Sequence, residues 1–327
     1  MLELFKRNHL FNSLLLLPYA FVIRAVVIIF PEARVPGEYY GFWGKEFIAA
    51  VQQWGSGEFV LSTILVFIQA ALINRLFIRQ SMMGEINLFA GLCFILLTSF
   101  HPSFISISSV LLANTTLLIA LGYLFDVLKK EKQEENRFML GLWLAVSGLL
   151  YIPYLVLLLF GLISMSILKT IKVKDIFQYL TGYLAPFVIG WLVRIILTND
   201  PKPHFLQAFD TFGIPQFTGI RGPSDIITFS IMGLLLFISI LGYTQVIARK
   251  NIHAQKKIDT LYALIFFSLL MALFPALVSV QFLIVLVIPI SLFMAILLRL
   301  VRHPAAAESI HFILFVSAIL SQVLFLI

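Results

Sequence analysis

Long apolar runs separated by short charged clusters make up most of this chain. The stretch VLLANTTLLIALGYLF at residues 110–125, for example, contains no charged side chain. A run of about 20 apolar residues is enough to cross the hydrocarbon core of a bilayer as a helix. Only helices and closed barrels satisfy the backbone in lipid, and these runs lack the alternation typical of barrel strands. The pattern therefore predicts an all-α, polytopic transmembrane helical bundle.

The proportion of charged residues also argues against a water-soluble fold. Hydrophobic residues make up 61% of the 327 residues, whereas charged residues make up only 12%. Soluble domains carry about 25% charged residues, which help to cover a water-facing surface. We therefore expect a single integral membrane domain that extends over residues 1–327.

Eleven apolar segments can be placed in the membrane, some of them as short helices in tight hairpins. Proline-containing corners, SFHPSFIS, LLYIPY and LFPALVSVQ, join three of these segments to their successors. Proline ends a helix and favours an extended turn before it. We expect the segments at residues 10–30, 59–79, 86–100, 105–127, 138–151, 153–168, 178–198, 226–247, 260–275, 281–299 and 309–327.

The lysines and arginines indicate which way the bundle faces. They crowd into the loops on one side, whereas the other side holds only Arg34, Lys45, Lys202 and Arg221. Cytoplasmic loops carry such an excess of positive residues. We therefore expect an inner (plasma) membrane protein with its N-terminus in the cytoplasm and its C-terminus outside. The expected cytoplasmic loops are 128–137, 169–177 and 248–259, and the expected outer loops are 31–58 and 199–225.

Several classes of function are excluded by what the sequence lacks. The net charge of +7 comes from short clusters between apolar runs, so nucleic acid is not an expected partner. Cys93 is the single cysteine, which rules out a disulfide or a cysteine metal site within the chain. No Walker, G-x-S-x-G or H-E-x-x-H motif occurs. We expect no cofactor, and the sequence leaves a divalent metal ion open.

The first outer loop concentrates acidic and aromatic residues in the stretch FPEARVPGEYYGFWGKEF. One interpretation makes residues 43–54 an amphipathic interfacial helix, with Phe47, Val51 and Trp54 on one face. The other makes a carboxylate a general base and the aromatic rings a platform for a sugar or lipid head group. The candidates are Glu32 and Glu38 for catalysis, and Tyr39, Tyr40 and Trp43 for binding.

Two arginines lie within predicted spans, at positions 24 and 194, and one lies in the second outer loop, at position 221. An ionised side chain in a span usually faces the bundle interior or a polar cavity, because its burial in lipid is costly. Arg24 and Arg194 therefore either snorkel towards the head groups or, with Arg221, bind a phosphate through their guanidinium groups. His101, in the FHPS corner, is either a solvated side chain or part of the same site.

The arrangement resembles the GT-C superfamily of membrane glycosyltransferases over roughly residues 1–200. The likeness consists of a first helix leading into an acidic outer loop, and of tight helix pairs such as GLCFILLTSFHPS and GLLYIPYLVLLLFGL. Members of the superfamily usually carry Asp in that loop, where this chain has Glu32, Glu38 and Glu46. The chain is also similar to polytopic inner-membrane proteins of Bacteroidota.

The resemblance implies a function at the outer face. Enzymes of the superfamily take a sugar from a polyprenyl-phosphate donor, so it implies a polyprenyl- or lipid-phosphate sugar ligand, with Glu32 or Glu38 as the base. It also implies a phosphate site at Arg24 with Arg221 or Arg194. Membrane lipids are then the expected partners. Two alternatives stay open: a non-catalytic membrane subunit of a cell-envelope or secretion complex, bound to other membrane proteins, and a small-solute transporter.

Overall fold

The structure, a computed structural model, is built almost entirely from α-helices, as the sequence predicts. The strands in the described part of the chain are Gln216–Phe217 and Leu277–Val278, which form one short parallel pair. The structure describes residues 2–6, 9–80, 82, 87–128, 132–198, 216–217, 222–248, 250–273, 277–278, 280–301 and 303–326.

The first third of the chain forms short helices around one long one. Short apolar helices need neighbours that bury their ends, because unsatisfied backbone groups are costly in lipid. The helices are α1 (Leu2–Phe5), α2 (Leu10–Leu14), α3 (Leu16–Ile23), α4 (Ala25–Ile29), α5 (Lys45–Gln52), α6 (Ser56–Arg79), α7 (Phe89–Leu97) and α8 (Pro102–Ile105).

The rest of the chain consists mainly of longer helices. Short 3₁₀ turns lie at Ile152–Val156, Met271–Leu273 and Val280–Leu283. The helices are α9 (Ser109–Asp126), α10 (Gln133–Leu150), α11 (Leu157–Leu168), α12 (Val173–Thr198), α13 (Pro223–Leu241), α14 (Tyr243–Ile247), α15 (Ile252–Leu270), α16 (Ile284–Leu300) and α17 (Pro304–Leu324).

Six helices in the described residues are long and apolar enough to cross a membrane. Two shorter apolar stretches, Phe11–Ile23 and Ile152–Leu168, add to them. The prediction of a multi-pass helical membrane protein is confirmed at this level of length and composition. The six helices lie at Ser56–Arg79, Ser109–Asp126, Val173–Val193, Pro223–Leu241, Val280–Leu300 and Pro304–Leu324.

The first membrane segment differs from the expected single helix over residues 10–30. It consists of α2, α3 and α4, with breaks at Leu15 and Arg24. Arg24 has φ −102° and ψ 4°, outside the helical region, and its amide bonds the carbonyl of Val22 instead of one four residues back. The side chain of Arg24 is buried in the protein, as described below. The helix is interrupted at the same residue.

The predicted cytoplasmic loops are also shorter than expected, because helices extend into all three. Acidic residues in the first turns, such as Glu134 and Glu135 of α10, favour a helix N-terminus at these positions. The helices begin at Gln133 within the predicted loop 128–137, at Val173 within 169–177 and at Ile252 within 248–259.

The core of the bundle surrounds α16. Nearly every residue of this helix is buried, as are all nine residues of α7. In contrast, α12, α13 and α17 lie at the periphery and expose much of their apolar surface. Exposed apolar faces of this size mark surfaces that lipid or another protein covers.

Candidate functional site

Residues 30–44, which follow the first membrane segment, form a strap that crosses the ends of neighbouring helices. Four backbone hydrogen bonds to neighbouring elements hold it among the described residues. The amides of Ser109 and Ile152 donate to the carbonyls of Glu38 and Tyr40 over 3.2 and 2.8 Å. The amides of Phe42 and Trp43 both donate to the carbonyl of Leu149, over 2.7 and 3.1 Å. We call this end of the bundle the strap end. The polar loop expected from the sequence is therefore an ordered part of the fold.

Two glycines allow the strap to lie directly on the backbone beneath it. A Cβ atom added at Gly37 would lie 1.9 Å from the carbonyl oxygen of Ile107, and one at Gly41 would lie 2.1 Å from that of Leu150. Real side chains do not tolerate such distances, so any larger residue must lift the strap. The close contact fixes the height of the strap above the helix ends.

Glu38 is held in place through both of its backbone polar groups. Its amide donates to Oε1 of Gln281 over 2.9 Å, while its carbonyl accepts from Ser109. Burial raises the pKa of the neighbouring Tyr40, and the negative charge of Glu38 raises it further. The backbone of Glu38 is therefore held in place, and its half-buried side chain lies near a tyrosine.

The other aromatic candidates of the strap are held against the protein as well. Burial, followed by the charge of Glu46, raises the pKa of Tyr39 to about 12. The ring of Trp43 lies against Gly190 of α12, since a Cβ there would be 2.4 Å from its Cζ2 atom. Both rings are half-buried, which leaves part of each accessible at the strap end.

Glu32 differs from Glu38 in its surroundings. It is exposed in the 3₁₀ turn Pro31–Ala33 and makes no hydrogen bond or ion pair with the residues that the structure describes. A third carboxylate, Glu58, is buried at the start of α6 and accepts a hydrogen bond from the amide of Ile107 over 3.0 Å. The three acidic residues therefore occupy an exposed, a half-buried and a buried position.

The interfacial helix expected over residues 43–54 is present as α5, but its buried face differs from the prediction. Ile48 and Val51 are buried, whereas Phe47 and Trp54 are exposed. Trp54 lies beyond the last helical residue, so the helical spacing assumed for it does not apply. The two exposed apolar side chains can still enter the head-group region of a membrane.

His101 lies in a corner outside the predicted membrane segments and interacts through both ring nitrogens. Its Nδ1 atom accepts from the amide of Ser103 over 3.2 Å and lies 2.7 Å from the hydroxyl of the same residue. Its Nε2 atom lies 2.9 Å from Oδ1 of Asp225, in the first turn of α13. With Nδ1 accepting, the proton of the neutral ring is on Nε2, facing the carboxylate.

Gln281 connects this corner to the strap. Its Nε2 atom donates to the carbonyl of Ser103 over 3.0 Å, and its Oε1 atom accepts from Glu38, as described above. The result is a continuous set of polar residues that we call the strap-end network: Asp225, His101, Ser103, Gln281 and Glu38. The network links the strap, the FHPS corner, α13 and the turn before α16.

The electrostatics of the network favour a neutral histidine. Burial lowers the pKa of His101 below its ordinary value, while the carboxylate of Asp225 acts in the opposite direction. The effect of burial is the larger one because the ring is only 3% exposed. His101 and Asp225 therefore form a buried pair in which an uncharged imidazole lies 2.9 Å from the carboxylate.

Arg24 lies apart from this network and is completely enclosed. Its Nε atom donates to the hydroxyl of Ser99 over 3.0 Å, and one Nη donates to the carbonyl and the hydroxyl of Thr98 over 3.0 and 3.1 Å. The other Nη lies 3.4 Å from the hydroxyl of Ser62. A ligand phosphate would have to displace these partners, so the arrangement supports a structural role for Arg24.

Gln322 on α17 donates hydrogen bonds to backbone carbonyls beside the helix break at Arg24. It is buried, and its Nε2 atom donates to the carbonyls of Ile23 and Ser99 over 2.9 and 2.7 Å. These are carbonyls that a break and a helix end leave without their helical partners. Sequence reasoning missed both Gln322 and the bridging role of Gln281. The sequence does contain a signal for both residues: a glutamine within or beside an apolar run is expected to be buried, and a buried amide needs hydrogen-bond partners.

The remaining arginine candidates are placed only in part. Arg194 lies in the last turns of α12, and the structure does not describe its side chain. Arg221 lies outside the described residues. The structure therefore brings together Glu38, Tyr40 and His101 through the strap and its network, while Arg24 and Glu32 take no part in the described contacts of that network. Within the described ranges, no group of three His, Cys, Asp or Glu residues could hold a metal ion.

Comparison with known proteins identifies one family. The model of a family of unknown function, DUF6427, matches residues 50–326. No curated protein and no solved structure matches the chain. The matched region extends from α5 to α17, so it contains His101, Asp225 and Gln281, while Glu38 lies before it.

Proposed function

We propose that this chain, which belongs to the DUF6427 family, is an inner-membrane protein that binds a polyprenyl- or lipid-phosphate sugar at its extracytoplasmic face. In this proposal eleven segments cross or enter the membrane, with the N-terminus in the cytoplasm and the C-terminus outside. The strap end then faces outward. The excess of lysine and arginine at the opposite end supports this orientation.

We propose further that the strap end transfers the sugar to an acceptor hydroxyl. Glu38 takes the proton of the hydroxyl, and the acceptor oxygen forms a bond to the anomeric carbon. The bond between that carbon and the donor phosphate oxygen breaks, and its electron pair leaves with the polyprenyl phosphate. Tyr39, Tyr40 and Trp43 provide ring surfaces for the sugar, because half-buried aromatic side chains are rigid and amphipathic.

The observation that carries this proposal is the fixed backbone of Glu38, which positions its side chain at the strap end. A general base has to be held within hydrogen-bond reach of the proton that it removes. Both backbone polar groups of Glu38 are bonded, and Gln281 ties the residue to the buried His101–Asp225 pair. Glu32 has no such support, so we assign the base to Glu38. The phosphate-binding role remains proposed for Arg194 and Arg221.

The test compares the two carboxylates in the same strap. Membranes that contain each variant as the only copy are supplied with a panel of polyprenyl-phosphate sugars labelled in the sugar, and label transferred out of the donor is measured. Glu38→Gln should lower transfer by about 10²- to 10⁴-fold, the usual contribution of a general base. Glu32→Gln should stay within about twofold of the wild type, since a solvated surface residue contributes little.

Binding of polyprenyl phosphate, measured by native mass spectrometry, separates catalysis from folding. Glu38→Gln should keep this binding, because an amide side chain leaves both backbone hydrogen bonds in place. Full transfer by Glu38→Gln would contradict the assignment of the base. No transfer by the wild type with any donor would overturn the enzymatic proposal and favour a non-catalytic membrane subunit, which would co-purify with partner proteins.

A further inference from the structure

The end of the bundle opposite the strap carries two grooves on either side of α6. The first is lined mainly by apolar residues, and the second by apolar and polar residues in similar measure. The first is a cavity of about 470 Å³ between α6 and the segment of α2 and α3. Its apolar lining includes Leu14, Leu16, Phe67 and Ile78. A groove of this size between helices is large enough for part of an acyl chain.

The second groove is a cavity of about 430 Å³ on the other face of α6, bordered by α9 and α10. Its apolar lining includes Leu72, Leu118 and Ile119. Its charged rim includes Asp126 and the ion pair of Lys132 with Glu135, 3.2 Å apart. Gly122 of α9 also lines it, and a Cβ added at this glycine would meet no atom within 4 Å. The open space beside Gly122 is therefore part of the groove.

Arg75 and Arg79 border both grooves. They are one helical turn apart and therefore lie on the same side of α6. Arg75 is exposed and has no carboxylate within ion-pair distance among the described residues. Arg79 lies 2.6 Å from Asp126, yet half of its side chain surface remains exposed. The two guanidinium groups thus carry more positive charge than the neighbouring carboxylate neutralises.

A buried amide beside the first groove independently indicates a missing acceptor. Asn74 lines this groove and is 3% exposed. Its Oδ1 atom accepts from the amide of Gly91, whereas its Nδ2 atom has no hydrogen-bond partner in the described structure. Buried polar groups normally have partners, so an unpaired donor beside a groove is a place where a ligand oxygen would be favourable.

We propose that Arg75 and Arg79 bind the phosphate of an anionic phospholipid of the cytoplasmic leaflet, with one acyl chain in each groove. Guanidinium groups bind phosphate through paired hydrogen bonds, and basic pockets between membrane helices hold anionic head groups. Asn74 donates to an oxygen near the glycerol. The apolar residues that line part of each groove, on both sides of the charged pair, favour a two-chain lipid over a free phosphate. This inference does not depend on the sugar-transfer activity, but its leaflet rests on the orientation proposed above.

The test measures binding of dioleoyl-phosphatidylglycerol to the full-length protein in detergent by native mass spectrometry, with dioleoyl-phosphatidylcholine for comparison. Arg75→Gln should weaken phosphatidylglycerol binding by about fivefold, the usual effect of one basic residue near an anionic lipid. Gly122→Leu should weaken binding of both lipids, because the new side chain enters the groove from a position where its Cβ meets no protein atom within 4 Å.

Matched controls exist for both variants. Lys174→Gln removes a positive charge whose side chain is 70% exposed, without touching either groove. Gly233→Leu makes the same substitution as Gly122→Leu at an exposed glycine of α13 that is also without neighbours within 4 Å. Both should bind as the wild type does.

The proposal is overturned if Arg75→Gln and Lys174→Gln weaken binding equally, since only general surface charge would then be acting. It is also overturned if Gly122→Leu matches Gly233→Leu. Glycerol 3-phosphate provides the remaining comparison: competition at the concentration of the lipid would show that the phosphate alone is recognised and that the grooves hold no chains.

Discussion

Two buried ionisable side chains show how single residues are accommodated in this apolar protein. Arg24 is surrounded by hydroxyl and carbonyl oxygens, and Gln322 takes up the carbonyls left open beside it. His101 faces the carboxylate of Asp225 and stays neutral. In both cases the charged or polar group lies against polar atoms of the protein, as a low-dielectric interior favours.

The neutral state of His101 leads to a dependence of stability on pH. Burial lowers the pKa of the folded protein's imidazole from its ordinary value of 6.5, so the unfolded chain takes up this proton first as the pH falls. Stability should therefore decrease from about pH 6.5 downwards to the folded pKa. The thermal unfolding midpoint in detergent should drop by a few degrees more for the wild type than for His101→Asn between pH 7.5 and 5.

Asparagine is the suitable replacement because it can keep the hydrogen bond to the amide of Ser103 that begins α8. The carboxylate facing this position, Asp225, stays the same in both proteins. Equal pH dependence of the wild type and His101→Asn would show that another group controls stability in this range.

The sequence singles out Arg24 and His101 but does not identify their partners. Hydropathy alone predicts that Arg24 lies in a membrane segment, and the structure buries its side chain. Its bonds reach residues 38 and 75 positions away, and Gln281 bridges to a residue 243 positions away. Such pairs depend on how helices pack, which a single sequence does not encode in its local pattern. For that reason the sequence leaves Arg24 open between a snorkelling side chain and a phosphate ligand.

At the level of elements, the strap is the feature that organises the candidate site. Hydropathy located the long helices because apolar length is a local property, and it located the polar segment between the first two. It could not show that this segment lies on the ends of other helices, since glycine in a polar stretch is also typical of a free loop. Only the contacts of Gly37 with Ile107 and of Gly41 with Leu150 show why these positions require glycine.

Replacing Gly41 by Ala should therefore loosen the strap. The new methyl group would lie 2.1 Å from the carbonyl oxygen of Leu150, and relieving that overlap should destabilise the protein by about 1–3 kcal/mol. Thermal unfolding in detergent measures the effect. Gly233→Ala, on an exposed helix face without close neighbours, should leave the midpoint unchanged or slightly raised. Equal stability of the two variants would mean that the strap is not pressed against the helix ends.

At the level of the whole molecule, the two ends of the bundle differ in chemistry. The strap end carries carboxylates, aromatic rings and the buried His101–Asp225 pair, whereas the opposite end carries the exposed arginines of α6 and most of the lysines. The proposed sugar transfer and the proposed lipid site therefore require opposite sides of the membrane. The account depends most on the strap end facing outward.

Cysteine labelling in intact cells tests that sidedness directly. The native Cys93 is buried and can be replaced by Ala to give a cysteine-free protein. Single cysteines are then placed at Lys45, exposed in α5, and at Lys174, exposed in the first turn of α12. With the strap end facing outward, a membrane-impermeant maleimide should label the Lys45→Cys protein in intact spheroplasts and should label Lys174→Cys only after permeabilisation. Labelling of Lys174→Cys alone in intact spheroplasts, or equal labelling of both, would contradict it.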